Sequence, residues 1–151
     1  MRPGDQPAQR LRPLAARLKN EMAYKSEDII WTLLHDILAE EQYTDLVAGH
    51  QVLLRNLLPG IDGLTARQEA YVRHRASVDF VVYRRVSNLP RLVIEVDGFA
   101  YHENNPAQLA RDALKNEILQ TRGLRLLRLP TTGSDEAKRI RKALDEVEGN
   151  E

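Results

Sequence analysis

Val78-Asp79-Phe80-Val81-Val82 and Leu92-Val93-Ile94-Glu95-Val96-Asp97-Gly98 are the two stretches on which the reading of the fold turns. Both are rich in β-branched and aromatic residues and read as strands. A hairpin centred on Ser87 sets Asp79 directly opposite Glu95. Side chains alternate between the faces of a strand, so Asp79, Glu95 and Asp97 share one face. Val78, Phe80 and Val82 meet Leu92, Ile94 and Val96 on the other, a core face. Val81 and Val93 flank the carboxylates, which places the cluster at one end of a partly buried surface. Opposed Cβ atoms stand about 5 Å apart, and like charges in that position repel. A cation or raised pKa values must relieve them. A hard divalent ion with oxygen ligands suits the site, Mg²⁺ above all. The plainer alternative makes Asp97-Gly98 a turn signal and gives Glu95 an arginine partner.

Upstream of the hairpin, Ser26 reads as an N-cap for a helix that buries Ile30, Leu33, Leu34, Ile37 and Leu38. Glu27 stands at the edge of that buried face, near the helix N-terminus, where it also complements the helix dipole. Residues 1–25 form an N-terminal extension with a possible short helix, since Leu11, Leu14, Leu18 and Met22 recur at helical spacing. Residues 26–148 form the main domain. Val52–Leu57 reads as a first strand, and Pro59–Thr65 as a turn-rich connection.

Downstream, Gly98–Asn105 is a loop. Asn105-Pro106 opens a helix that ends at about Thr121, before Gly123. Leu124–Leu129 is a fourth strand stopped by Pro130, and Ser134 caps a last helix carrying Ile140, Leu144 and Val147 on one side. A helix links the third and fourth strands, which makes those two parallel. The sheet is mixed and the fold class is α/β. On the crossover helix, Gln108, Asp112, Lys115 and Leu119 align, while Ala110, Ala113, Leu114 and Ile118 supply apolar packing. Lys115 can reach a phosphate or neutralise the acids, although a lone helix lysine is ordinarily solvated. His102 can position or protonate a phosphate oxygen. His35, His50 and His74 show no such context.

Composition narrows the field. The chain has 151 residues, with Lys+Arg 22 balanced by Asp+Glu 22, so net charge names no partner. Six arginines lie between Arg67 and Arg91 against Glu69 and Asp79, a basic stretch leading into the acids. That order suits a polyanion, and equally a solvated hairpin. The absence of cysteine excludes disulfides, zinc–thiolate sites and cysteine nucleophiles. With 5% aromatic residues, a stacking platform for single strands is not expected. No apolar run suits a membrane span and no signal-peptide core is evident, so the expectation is a cytoplasmic protein with no membrane partner.

The order Glu27…Trp31, Gln51-Val52, Val78-Asp79-Phe80, Glu95-Val96-Asp97-Gly98…His102, Asp112…Lys115 and Gly123…Leu127-Arg128 resembles the restriction-endonuclease-like PD-(D/E)XK superfamily. Within it, the chain is most similar to the branch of very-short-patch-repair endonucleases and related E-x-D-G…H domains. The resemblance spans about residues 26–130. It implies an α-β-β-β-α-β core with flanking helices, and Mg²⁺-dependent hydrolysis of DNA phosphodiesters, with Mn²⁺ able to substitute, in repair, restriction or defence. By position it makes Asp79 and Glu95 metal ligands, the Val96 carbonyl a third, and Glu27 a helix-borne acid, with His102 matching the histidine after the third strand. The superfamily's lysine, two positions after the second acid, is here Asp97. Lys115 or His102 can take over the activation of water, or Asp97 can hold a second metal. A different class of reading keeps the fold but makes the chain a catalytically weak or inactive module that binds nucleic acid or a partner protein. A third is a metal-dependent hydrolase of another phosphate ester. A homodimer, or a larger helicase, modification or defence partner, is compatible with the length.

Overall fold

A computed structural model describes residues 14–97, 106–130 and 135–149, with side chains from residue 26 onward. The elements run α1 (Leu14–Leu38), β1 (Leu46–Leu53), α2 (Ala66–Arg73), β2 (Ser77–Arg84), β3 (Pro90–Asp97), α3 (Pro106–Thr121), β4 (Arg125–Pro130) and α4 (Glu136–Glu148). Short 3-10 turns at Glu41–Tyr43 and Leu54–Leu57 flank β1. The four strands lie in the order β1-β2-β3-β4. β1–β2 and β2–β3 are antiparallel and β3–β4 parallel, so the sheet is mixed and the class is α/β.

The sheet is covered on both faces. On one side Phe80, Val82, Leu92 and Ile94 pack with Ile30, Leu34 and Ile37 of α1 and Ile140, Ala143 and Leu144 of α4. On the other, Val81 and Val93 pack with Leu54, Leu57, Val72 of α2, and Ile118 and Leu119 of α3. Two-sided burial explains the nearly unbroken apolar runs of β2 and β3. Val78 belongs to the second cluster, not to the Phe80 face where simple alternation puts it.

Several boundaries depart from the sequence reading. Ser26 does not cap a helix: α1 begins at Leu14 and passes straight through it. The first strand is Leu46–Leu53, not 52–57. Leu54–Leu57 instead curls into a 3-10 turn that buries Leu54 and Leu57. A helix absent from the sequence reading, α2, lies between β1 and β2. It begins with a capping box, in which Gln68 N donates to Thr65 Oγ1 and Thr65 N donates to Gln68 Oε1. On α3 the buried positions are Lys115, Ile118 and Leu119, while Ala113 is exposed. Gly98, His102, Asn105 and Ser134 lie outside the described residues.

Candidate functional site

The β2–β3 ladder pairs Val82 with Leu92, Val81 with Val93 and Phe80 with Ile94. Beyond Phe80 and Ile94, side chains take over the role of the ladder. Val96 N donates to Asp79 Oδ2 at 2.8 Å, and Asp79 N donates to Glu95 Oε2 at 3.2 Å. Two carboxyls are thereby wedged where two strands part. The wedge lies at the carboxyl end of β3 and its parallel neighbour β4, the end at which open α/β sheets bind ligands.

Glu95 is only 6% exposed and Lys115 only 8%. Lys115 crosses from α3 to pair with Glu95, and its Nζ also donates to the Ser77 carbonyl at 2.9 Å. Burial pushes the Glu95 carboxyl up to about 7; the Lys115 ammonium opposes the shift and Asp79 adds to it. Asp79 is also raised, chiefly by burial, with the Val96 N–H pulling the other way and Glu27 pushing it further up. Tyr71 on α2 is raised by burial and feels the charges of Lys115, Glu95 and Asp112. Three elements thus converge on one carboxyl pair.

The other flank of Asp79 is irregular as well. Gln51 has φ 52°, a left-handed backbone rare outside glycine. The β1–β2 register passes from His50–Phe80 to Val52–Val78, skipping Gln51 and Asp79. Gln51 Nε2 then points to Asp79 Oδ1 at 3.4 Å. His50 Nε2 lies 3.7 Å from Glu27 Oε2. The His50 ring stacks on Phe80 and leans on Trp31, at centroid distances of 5.2 and 5.6 Å. Glu27 therefore reaches the site's edge beside His50, a residue with no local pattern to mark it for the site.

Asp97 lies on the expected strand, and Arg128 of β4 pairs with it at 3.2 Å. Arg128 Nη2 also donates to Asn116 Oδ1 at 2.9 Å and stands 3.9 Å from Asp112. Gln108 Nε2 donates to Asp112 Oδ1 at 3.1 Å. Val96 enters through its N–H. Two arginines of the basic stretch do not reach the acids: Arg84 and Arg91 sit at the hairpin's turn end and pair with Glu148. Four to five strand residues, roughly 15 Å, separate them from Asp79.

Among the described residues, no group of three or more His, Asp or Glu side chains is placed to cage a cation. The donor set still fits a hard divalent ion. Mg²⁺ commonly takes one or two carboxylates and keeps its waters. Among the described residues, Asp79 Oδ1 has the long Gln51 contact, and Glu95 lies in the same wedge. Asp79 and Glu95 are the residues that would hold it.

No curated protein and no solved structure matches this chain. Residues 19–147 match the family described as "Protein of unknown function (DUF2726)", and the chain belongs to that family.

Proposed function

We propose that this protein is a metal-dependent DNA endonuclease that hydrolyses phosphodiester bonds, with a restriction-endonuclease-like core of the PD-(D/E)XK type. The observation that carries the reading is the convergence of Asp79, Glu95 and Lys115 from β2, β3 and α3 on one partly buried point. Burying like charges beside each other costs stability, so a fold that does so without chemistry to perform is hard to explain.

Asp79 and Glu95 would hold a divalent ion, which would supply charge relief at the phosphate and a water of lowered pKa. The protein's own groups do the rest. Glu95 is held by the Asp79 N–H and Lys115, so its orientation is fixed before substrate arrives. The Lys115 ammonium sits beside Glu95 and the Ser77 carbonyl, and it can donate to a phosphate oxygen or hold a water. Glu27 adds negative charge at the outer rim, beside His50. Arg128 neutralises Asp97, leaving Asp79 and Glu95 as the carboxylates that face the wedge.

The test is nicking of supercoiled plasmid by purified protein in Mg²⁺ or Mn²⁺. Wild type cuts, and Asp79→Ala and Lys115→Met each lose most of that activity. Equal cutting by the Asp79→Ala protein overturns the reading.

A second reading rests on the same contacts. Lys115 and Arg128 already neutralise Glu95 and Asp97. A module that retains the fold and binds nucleic acid without cutting it has the same salt bridges. Binding without metal-stimulated cleavage selects that reading.

A further inference from the structure

An open cleft of about 710 Å³ runs along β4, between the α3 side and Arg139 of α4. Its described lining residues include Arg125, Arg128 and Arg139 with the amides Asn116 and Gln120; none of them is acidic or aromatic. Among the described strands β4 lies at the end of the sheet, and the cleft follows it. Arg128 belongs both to this cleft and to the candidate site, where it holds Asp97. Arg128 is therefore the residue through which the cleft adjoins the Asp97 side of the candidate site.

We propose that this cleft binds the sugar–phosphate backbone of a nucleic acid flanking the scissile phosphate, with Arg125 and Arg139 as the phosphate contacts. The assignment rests on the nuclease reading for the identity of the polyanion. A lining with three guanidinium groups and no carboxylate is complementary to phosphate. Its described residues include no aromatic platform for bases, so the guanidinium groups favour contacts to the backbone over base readout. Arg128 is committed to Asp97 and Asn116 and sets the wall of the cleft. Arg139 spends one of its donors on the Arg128 carbonyl, at 2.8 Å, and keeps the others. Arg125 pairs with Glu146 at 3.2 Å, but both side chains are two-fifths or more exposed. Such a pair is worth little and yields readily to a phosphate.

Fluorescence anisotropy with a labelled DNA duplex of about two helical turns, in EDTA so that nothing is cut, reads the cleft directly. The Arg125→Glu/Arg139→Glu protein should bind roughly tenfold or more weakly, and its log K against log salt slope should fall by about two. Arg55→Glu, beyond the opposite edge strand β1, should leave both unchanged. Should the double variant fail to fold by circular dichroism, Arg125→Gln alone should lower the slope by about one. Unchanged binding in the variants overturns the assignment, as does an equal loss from Arg55→Glu or no binding by wild type. A wild-type dimer that the cleft substitutions dissolve makes this face a contact between copies, and also overturns it. Binding in EDTA without cutting in Mg²⁺ removes the hydrolytic reading and keeps the cleft. Cutting together with undisturbed binding by the variants removes the cleft and keeps the hydrolytic reading.

Discussion

Asp79 and Glu95 replace the backbone ladder at the end of the β2–β3 pair: Asp79 accepts the Val96 N–H, and Glu95 accepts the N–H of Asp79 itself. The two acids are therefore structural wedges as well as candidate ligands. Removing either one orphans a backbone amide, and that dual role shapes what substitutions should do.

Lys115 and Glu95 form a buried pair, and removing one partner of such a pair leaves an uncompensated charge. Lys115→Met should destabilise the protein by about 3 kcal/mol, in the range for broken buried pairs. Lys115→Met combined with Glu95→Gln should recover a large part of that loss. Urea denaturation of the four proteins checks the coupling; strictly additive losses would show that the pair is not acting as a unit.

Glu95 also sets a pH dependence. Its carboxyl is raised from 4.5 to about 7 in the folded protein, so between those values the native state binds more protons than the unfolded chain. Stability supplied by this group is fully present below pH of about 4.5 and is lost as pH rises through about 7. The full loss is on the order of 3 kcal/mol. Glu95→Gln should flatten that slope. Chemical denaturation at pH 5 and pH 7.5 measures it, and a wild-type profile as flat as the variant's contradicts the assignment.

His50 bridges Glu27 and the Trp31–Phe80 stack. His50→Ala should cost about 1 kcal/mol from lost ring contacts and should lower DNA cutting by releasing Glu27 at the site's rim. His50→Phe keeps the stacking and loses only the Glu27 contact. Comparing the two variants in thermal melts and plasmid nicking separates packing from positioning. Full activity in His50→Ala removes His50 from the site.

The capping box of α2 predicts a local loss. Thr65→Ala should cost about 1 kcal/mol, measured by thermal denaturation. Because α2 carries Val72 into the core and Tyr71 towards Lys115, the same change should raise hydrogen exchange over Ala66–Arg73. Unaltered exchange there would mean that tertiary packing alone holds the helix.

What was legible in the sequence was whatever local pattern determines. The two β-branched runs marked the hairpin strands, and the turn at Ser87 gave the register seen at Phe80–Ile94, which brings Asp79 beside Glu95. Asn105-Pro106 and Gly123 bracketed α3, and its length required a parallel β3–β4 crossover. The misplaced first strand shows the limit. Val52 to Leu58 is the most apolar run there, yet Leu54 and Leu57 are buried by a 3-10 turn. The true strand contains Gly49, His50 and the left-handed Gln51, which break its alternation. Helix α2 carries almost no apolar stripe, because only Gln68 and Val72 of its eight residues are buried. Its Thr65…Gln68 capping box was the available signal. Lys115 could be named from its helical position, but the Arg128–Asp97 pair follows from the β3–β4 register, which no local pattern encodes.

Anomalous scattering from a crystal soaked in Mn²⁺ shows whether the carboxyl wedge takes a metal. A single strong peak is expected within coordination distance of Asp79 and Glu95, lost in the Asp79→Ala protein. A saturating soak that leaves the wedge empty, with Lys115 still seated on Glu95, would contradict it.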